Sequence, residues 1–185
     1  LTTVSNAGLA GSIDLTAKVT GALPVANGGT ALTSGFINGV ANAGKIGQVV
    51  SAVYSTESST TSTSYVTTNL TASITPVATS SKVLIMAYLR ATPYKASGTS
   101  SSLGLTLYKD ASNILTATQT TTIQVSGNGA NALGARVLQP LMYVDSPSTT
   151  SSTAYTVYIK AESGSTAYFH QSNCQGSIIL QEILA

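Results

Sequence analysis

No stretch of a dozen residues in this chain carries apolar side chains at the i, i+3, i+4, i+7 spacing of an amphipathic helix, and the good helix formers are sparse. Thr, Val, Ile, Tyr and Ser fill the chain instead, and their branched, aromatic or hydroxyl side chains suit a half-buried pleated surface. The chain therefore reads as all-β. From Ile46 onward, runs of strand formers are broken at short intervals by Ser, Gly, Pro, Asp and Asn. This spacing predicts strands over 46–54, 65–75, 82–91, 101–109, 114–125, 133–144, 153–162, 166–170 and 176–184. Eight or nine strands in about 140 residues fit a β-sandwich or jelly roll better than a small barrel. Turns are marked over 109–113, 145–148 and 163–165, where Asp110, Asn113, Asp145, Pro147 and Gly164 each supply a turn mechanism.

The facing of side chains predicts what is buried. Over 153–162, Tyr155, Val157, Ile159 and Ala161 share one face while Thr156, Lys160 and Glu162 take the other, so this strand has one wet side. Over 82–91 both faces are apolar, with Val83, Ile85, Ala87 and Leu89 on one and Leu84, Met86 and Tyr88 on the other. Ile178, Ile179 and Leu180 likewise occupy both faces. A sandwich strand with two apolar faces needs a cover for the outer one, either a second copy of the chain or a long loop.

Residues 1–45 differ. Their apolar positions are isolated and separated by Gly, Asn and Ser, too thin a pattern to offset an ordering entropy of about 1–2 kcal/mol per residue in a lone chain. The segment reads as a flexible linker or as an extended piece wound with identical chains, with a reach on the order of 150 Å at about 3.3 Å per residue.

Charge excludes several functions. Eight Lys and Arg face six Asp and Glu, and charged residues are 8% of the chain, against about 25% in a typical soluble domain. A net charge of +2 from so few groups builds no basic stripe for a phosphate backbone, so nucleic acid is not expected as a partner. The longest apolar run, 83–89, is far short of the roughly 20 residues of a membrane helix, and no leader pattern follows Leu1. A chain opening on Leu rather than Met reads as a piece of a longer protein. Cys174, alone, rules out an internal disulfide framework. So little charge leaves solubility to a hydroxyl-rich surface, to self-association, or to life in a secreted or virion setting.

Candidate chemistry is thin. The carboxylates Asp14, Glu57, Asp110, Asp145, Glu162 and Glu182 lie apart in sequence, and a glycosidase pair would have to be assembled by folding. His170 and Cys174 lack a third orienting residue, so they read as a buried thiol and a surface or interface histidine, with a histidine metal site on a trimer axis as the remote alternative. No catalytic residue, metal or cofactor is expected. Recognition of a sugar needs a rigid aromatic beside hydrogen-bonding groups, and this nominates Tyr94 with Lys95 and the cluster Tyr168, Phe169, His170, Gln171 and Asn173.

The segment 13–35 contains Asp14-Leu15-Thr16, Lys18-Val19-Thr20-Gly21 and Leu23-Pro24-Val25-Ala26-Asn27-Gly28-Gly29-Thr30. It resembles the glycine-rich shaft repeat of tail-fibre proteins of tailed bacteriophages, with Ala31 where that family usually has Gly. Residues 46–185 resemble the distal domain that often follows the repeat, through 70–76, 79–85, 107–110, 145–150 and the closing strand. The resemblance implies a non-enzymatic homotrimer located in the virion. Residues 1–45 would be a shaft or collar, with Leu23, Pro24, Val25, Asn27, Gly28 and Gly29 as its trimer motif. Residues 46–185 would be a jelly-roll or tumour-necrosis-factor-like head. Its expected partners are other tail or baseplate proteins and a host surface glycan or outer-membrane receptor, with no membrane insertion. The alternatives are a purely structural virion role, as head fibre, decoration or connector, and a glycan-degrading spike.

Overall fold

A computed structural model describes residues 44–116, 120–162 and 164–185. The shaft motif over Leu23, Pro24, Val25, Asn27, Gly28 and Gly29 lies outside these residues.

The described residues form twelve strands, the longer ones following the period-2 patterning: β1 Ile46–Tyr54, β2 Ser58–Thr60, β3 Val66–Ile74, β4 Lys82–Lys95, β5 Ser100–Lys109, β6 Ser112–Asn113, β7 Thr121–Ser126, β8 Leu133–Gly134, β9 Val137–Asp145, β10 Thr153–Ala161, β11 Thr166–Phe169 and β12 Gly176–Ile183. They form two antiparallel sheets. One has seven strands in the order β1, β12, β4, β11, β2, with β8 and β9 also on β4. The other has five in the order β3, β10, β5, β6, with β7 on β5. The long strand β4 is the spine of the larger sheet: 82–88 pairs β12, 83–91 pairs β9, 91–94 pairs β11 and 94–95 pairs β8.

The inner faces meet as the alternation predicts. Val83, Ile85 and Leu89 of β4 and Ile178 and Leu180 of β12 pack in one core with Leu103, Leu105 and Leu107 of β5, Tyr155, Val157 and Ile159 of β10, and Leu70 and Ile74 of β3. Close packing of two such faces is the main source of stability in a sandwich.

Several expected boundaries shift for identifiable reasons. The strand expected over 114–125 starts only at Thr121, as β7: β6 ends at Asn113, whose side-chain Oδ1 accepts from Thr106 Oγ1 at 2.7 Å and from the Leu115 amide at 3.1 Å, which turns the chain. The strand expected over 133–144 is split into β8 and β9 around residues 135–136. β4 runs past the expected end at Ala91, through Pro93. Pro140 sits in β9, which pairs β4 alone, so its missing N–H is accommodated on an edge strand.

The outer face of the larger sheet is apolar over four strands. Met86 lies opposite Met142 and Ile179, Leu84 opposite Val144, and Val53 points outward from β1. Met142 is 71% exposed and Leu138 58% exposed, so no loop among the described residues roofs this face.

Candidate functional site

Beyond Leu89 the outer face of β4 changes character. Arg90, Thr92 and Tyr94 follow one another on that face, and Tyr168 of β11 lies opposite Thr92. The Tyr94 and Tyr168 rings meet edge to face, with centroids 6.0 Å apart and planes at 78°. Tyr94 is 37% exposed.

After Phe169 the chain leaves the sheet through a single 3-10 turn, Gln171–Asn173. His170, Ser172 and Asn173 all have positive φ, at 54°, 59° and 52°. Each such residue costs about 1–2 kcal/mol relative to ordinary backbone. The turn is held by the Ser172 amide donating to Glu57 Oε2 at 2.6 Å and by the Cys174 amide donating to the His170 carbonyl at 3.2 Å. Its effect is to put Gln171 between two guanidiniums. Gln171 Oε1 accepts from Thr92 Oγ1 at 3.0 Å and from Arg136 Nε at 3.2 Å, and its main-chain carbonyl accepts from Arg90 Nη1 at 3.4 Å. Arg90 and Arg136 are the two arginines of the sequence. Among the described residues neither is ion-paired; the ion pairs there are Lys109 with Asp145 and Lys160 with Glu162.

Of the residues nominated from sequence, Tyr94, Tyr168 and Gln171 come together on this face. Lys95 does not: its side chain alternates away from Tyr94 and lies beside Gly98 and Gly164. Asn173 is exposed at the far end of the turn. Phe169 and His170 are corrected. Phe169 is 3% exposed because the alternation of β11 turns it into the core, and His170 is 0% exposed. The His170 ring packs edge to face on Tyr54 at 5.3 Å and on Phe169 at 5.9 Å, and burial lowers its pKa. An imidazole enclosed by its own chain is neither a receptor contact nor a ligand on a trimer axis. Cys174 is a free, half-buried thiol. Among the described residues no three or more His, Cys, Asp and Glu side chains gather as a metal site would require.

Sequence reasoning missed Arg90, Thr92 and Arg136. Arg90 lies on β4 and Arg136 in the break between β8 and β9, and only the pairing of β4 with its neighbours brings both to Gln171. The available signal was scarcity: in a chain with so few cations, each arginine merits attention.

No protein family matches the chain, and no curated protein does. Among solved structures it is similar to the infectious bursal disease virus VP2 subviral particle, with a TM-score of 0.38, 15% identity, and coverage of 83% of this chain and 41% of that one. It is also similar to the infectious bursal disease virus Gt strain, with a TM-score of 0.35, 14% identity, and coverage of 83% and 42%. The likeness is loose, and the chain spans less than half the length of either.

Proposed function

We propose that the protein is a structural fibre protein of a virion, a bacteriophage tail fibre that assembles as a homotrimer. In this reading residues 1–45 form the shaft or collar and 46–185 the distal head that meets a glycan or outer-membrane receptor on the host cell. The observation that carries it is the uncovered apolar face of Leu84, Met86, Leu138, Met142 and Val144 on a chain with 8% charged residues. A face this apolar on a lone, weakly charged molecule invites association, and further copies of the same chain are the partners that the shaft-like repeat over 13–35 supplies. The arginine–tyrosine cluster lies beyond this apolar region on the same sheet, outside the face assigned to the contact between copies and free to meet the host surface. Three heads per fibre multiply a weak single site, so each need bind only modestly. No enzymatic step, cofactor or nucleic acid enters this reading. No helix among the described residues is long and apolar enough to cross a membrane.

The test is the solution mass by light scattering, with unheated and boiled gel lanes, followed by adsorption of the labelled chain to bacterial cells. A mass of three chains that persists in unheated detergent, with adsorption, is the expected result. A monomer overturns the fibre reading. A trimer that adsorbs to no cell leaves the purely structural role.

A further inference from the structure

We infer that Arg90, Arg136, Tyr94 and Tyr168 form a binding site for a carboxylated sugar, a uronate unit of an acidic surface polysaccharide. This deepens the attachment reading above and rests on it for its biological role.

The first argument is the unspent hydrogen-bonding capacity of the arginines. Arg136 is exposed, and among the described residues its one hydrogen bond leaves from Nε. Both terminal nitrogens, the edge that matches a carboxylate bidentately, remain available. Among the described residues Arg90 donates a single side-chain bond, from Nη1 at 3.4 Å. Both groups are anchored on Gln171, Arg90 at its main-chain carbonyl and Arg136 at its side-chain oxygen, and among the described residues no carboxylate pairs either of them. An anion that meets both guanidiniums is attracted by two positive charges at once. Glu57 accepts from the Ser172 amide of the turn at 2.6 Å and forms no ion pair with either arginine. The opposite outer face of the sandwich shows the contrast. There the Lys160 ammonium lies 5.4 Å from the centre of the Tyr65 ring but is already paired with Glu162 at 3.0 Å, so no charge is left over.

The second argument is the aromatic half of the cluster. Tyr94 and Tyr168 hold each other edge to face, which fixes the rings, and the residue opposite Tyr94 on β8 is Gly134. A Cβ there would stand 3.4 Å from Tyr94 Cδ2, in contact with the ring, so the glycine leaves that side open. A rigid tyrosine accepts the apolar face of a pyranose at small entropic cost. Neighbouring outward positions along a strand and across to its partner span roughly 5–7 Å, so ring and guanidinium lie one or two sugar units apart. A bare phosphate would use the arginines and leave the tyrosines idle; a neutral sugar would do the reverse. A uronate uses both.

The experiment titrates the full chain with oligomers of galacturonate, glucuronate and mannuronate, with their neutral methyl esters, with inorganic phosphate and with poly-glutamate. The variants are Arg136→Ala, Arg136→Lys and Tyr94→Ala, each checked for an unchanged melting transition. At least one uronate series is expected to bind, with the methyl ester weaker by about tenfold or more and each variant weaker by a similar factor. Lysine is expected to fail at this position because a point charge does not reproduce the fork. The proposal is overturned if none of the three uronates binds, if esters or phosphate or poly-glutamate bind as tightly, or if the variants bind like the wild type. Adsorption to cells separates the two levels. Cell adsorption unchanged in Arg136→Ala removes this site and leaves attachment standing, whereas arginine-dependent uronate binding without adsorption to any cell keeps the site and removes attachment.

Discussion

Tyr155 of the five-stranded sheet donates its hydroxyl hydrogen to Asp145 Oδ2 of the seven-stranded sheet at 2.7 Å, a buried hydrogen bond that ties the two layers at one end of the core. Lys109 of β5 closes the group from the same side, with Nζ 3.0 Å from Asp145 Oδ2. Asp145 thus accepts from two residues of the facing sheet and brings the 145–148 turn with it. Burial, then the bond to Asp145 and its charge, push the Tyr155 hydroxyl above the usual tyrosine value. A raised folded-state value means that this stabilisation is complete below about pH 10, the unfolded value, and is lost as pH climbs toward the folded one. Tyr155→Phe is expected to cost about 1.5–3 kcal/mol at neutral pH, the range for a hydrogen bond to a charged group, and to reduce the alkaline loss of stability. Denaturant titrations at pH 7 and pH 11 check both.

Glu182 makes a second tie, on the other side of β4 from Asp145: both residues pair with Val83. Glu182 is 0% exposed, and accepts from Gln48 Nε2 at 2.7 Å and from the Val77 amide at 2.7 Å. Gln48 also donates to the Thr75 carbonyl at 2.7 Å, so one amide clasps β1, β12 and the loop after β3. Burial alone would raise the Glu182 carboxyl, but the donated hydrogen bonds outweigh it and the pKa is lowered. A lowered value gives stability that is present above about pH 4.3 and lost as pH falls through the folded value. Glu182→Gln leaves one acceptor oxygen for two donors, so either the Val77 amide or Gln48 Nε2 faces an NH2 group instead of an acceptor. It is expected to cost about 1–3 kcal/mol at pH 7 and to lessen the acid dependence of the melting temperature.

The two sheets were legible because alternation survives in the sequence wherever a strand has one wet side. Tyr155, Val157 and Ile159 could be assigned to the core, and β1 was bounded at Ile46 and Tyr54, as found. The short strand β2 was not legible: Ser58, Ser59 and Thr60 carry no apolar signal, and the strand exists through main-chain pairing with β11. The candidate site was half legible. Tyr94, Tyr168 and Gln171 announce themselves as a polar-aromatic set, but the inward turn of Phe169 and His170 depends on the register of β11 against Ala91 of β4. Arg90 and Arg136 needed the same long-range pairing, which local sequence does not encode.

The buried His170 gives a third expectation. Its ring lies against Tyr54 and Phe169, and burial lowers its pKa. Its neutral form is favoured on folding, so this contribution is complete above about pH 6.5 and is lost as pH falls through the lower folded value. His170→Asn keeps a residue tolerant of the left-handed backbone at φ 54° and removes the titrating ring. Thermal melts at pH 7.5 and pH 5 are expected to differ less in this variant than in the wild type. Gly176→Ala perturbs the same spot by sterics, because a Cβ there would stand 2.7 Å from His170 Cε1 and 3.0 Å from the Tyr88 carbonyl oxygen. That variant is expected to lose about 1–3 kcal/mol at either pH, as overpacking does.

Met86 and Met142 sit opposite each other on the bare outer face, and Met142 is 71% exposed. In an isolated chain, Met142→Glu removes apolar surface that water already touches and adds a solvated charge, so folding stability should change by less than about 0.5 kcal/mol. In an assembly that buries this face, the same substitution places an unpaired carboxylate in an apolar contact, whose cost far exceeds that of losing a methionine. The expected outcome is a chain that melts like the wild type yet elutes and scatters as a smaller species, with Met142→Leu retaining the wild-type mass. An assembly unchanged by Met142→Glu would mean that the copies meet elsewhere on the sandwich.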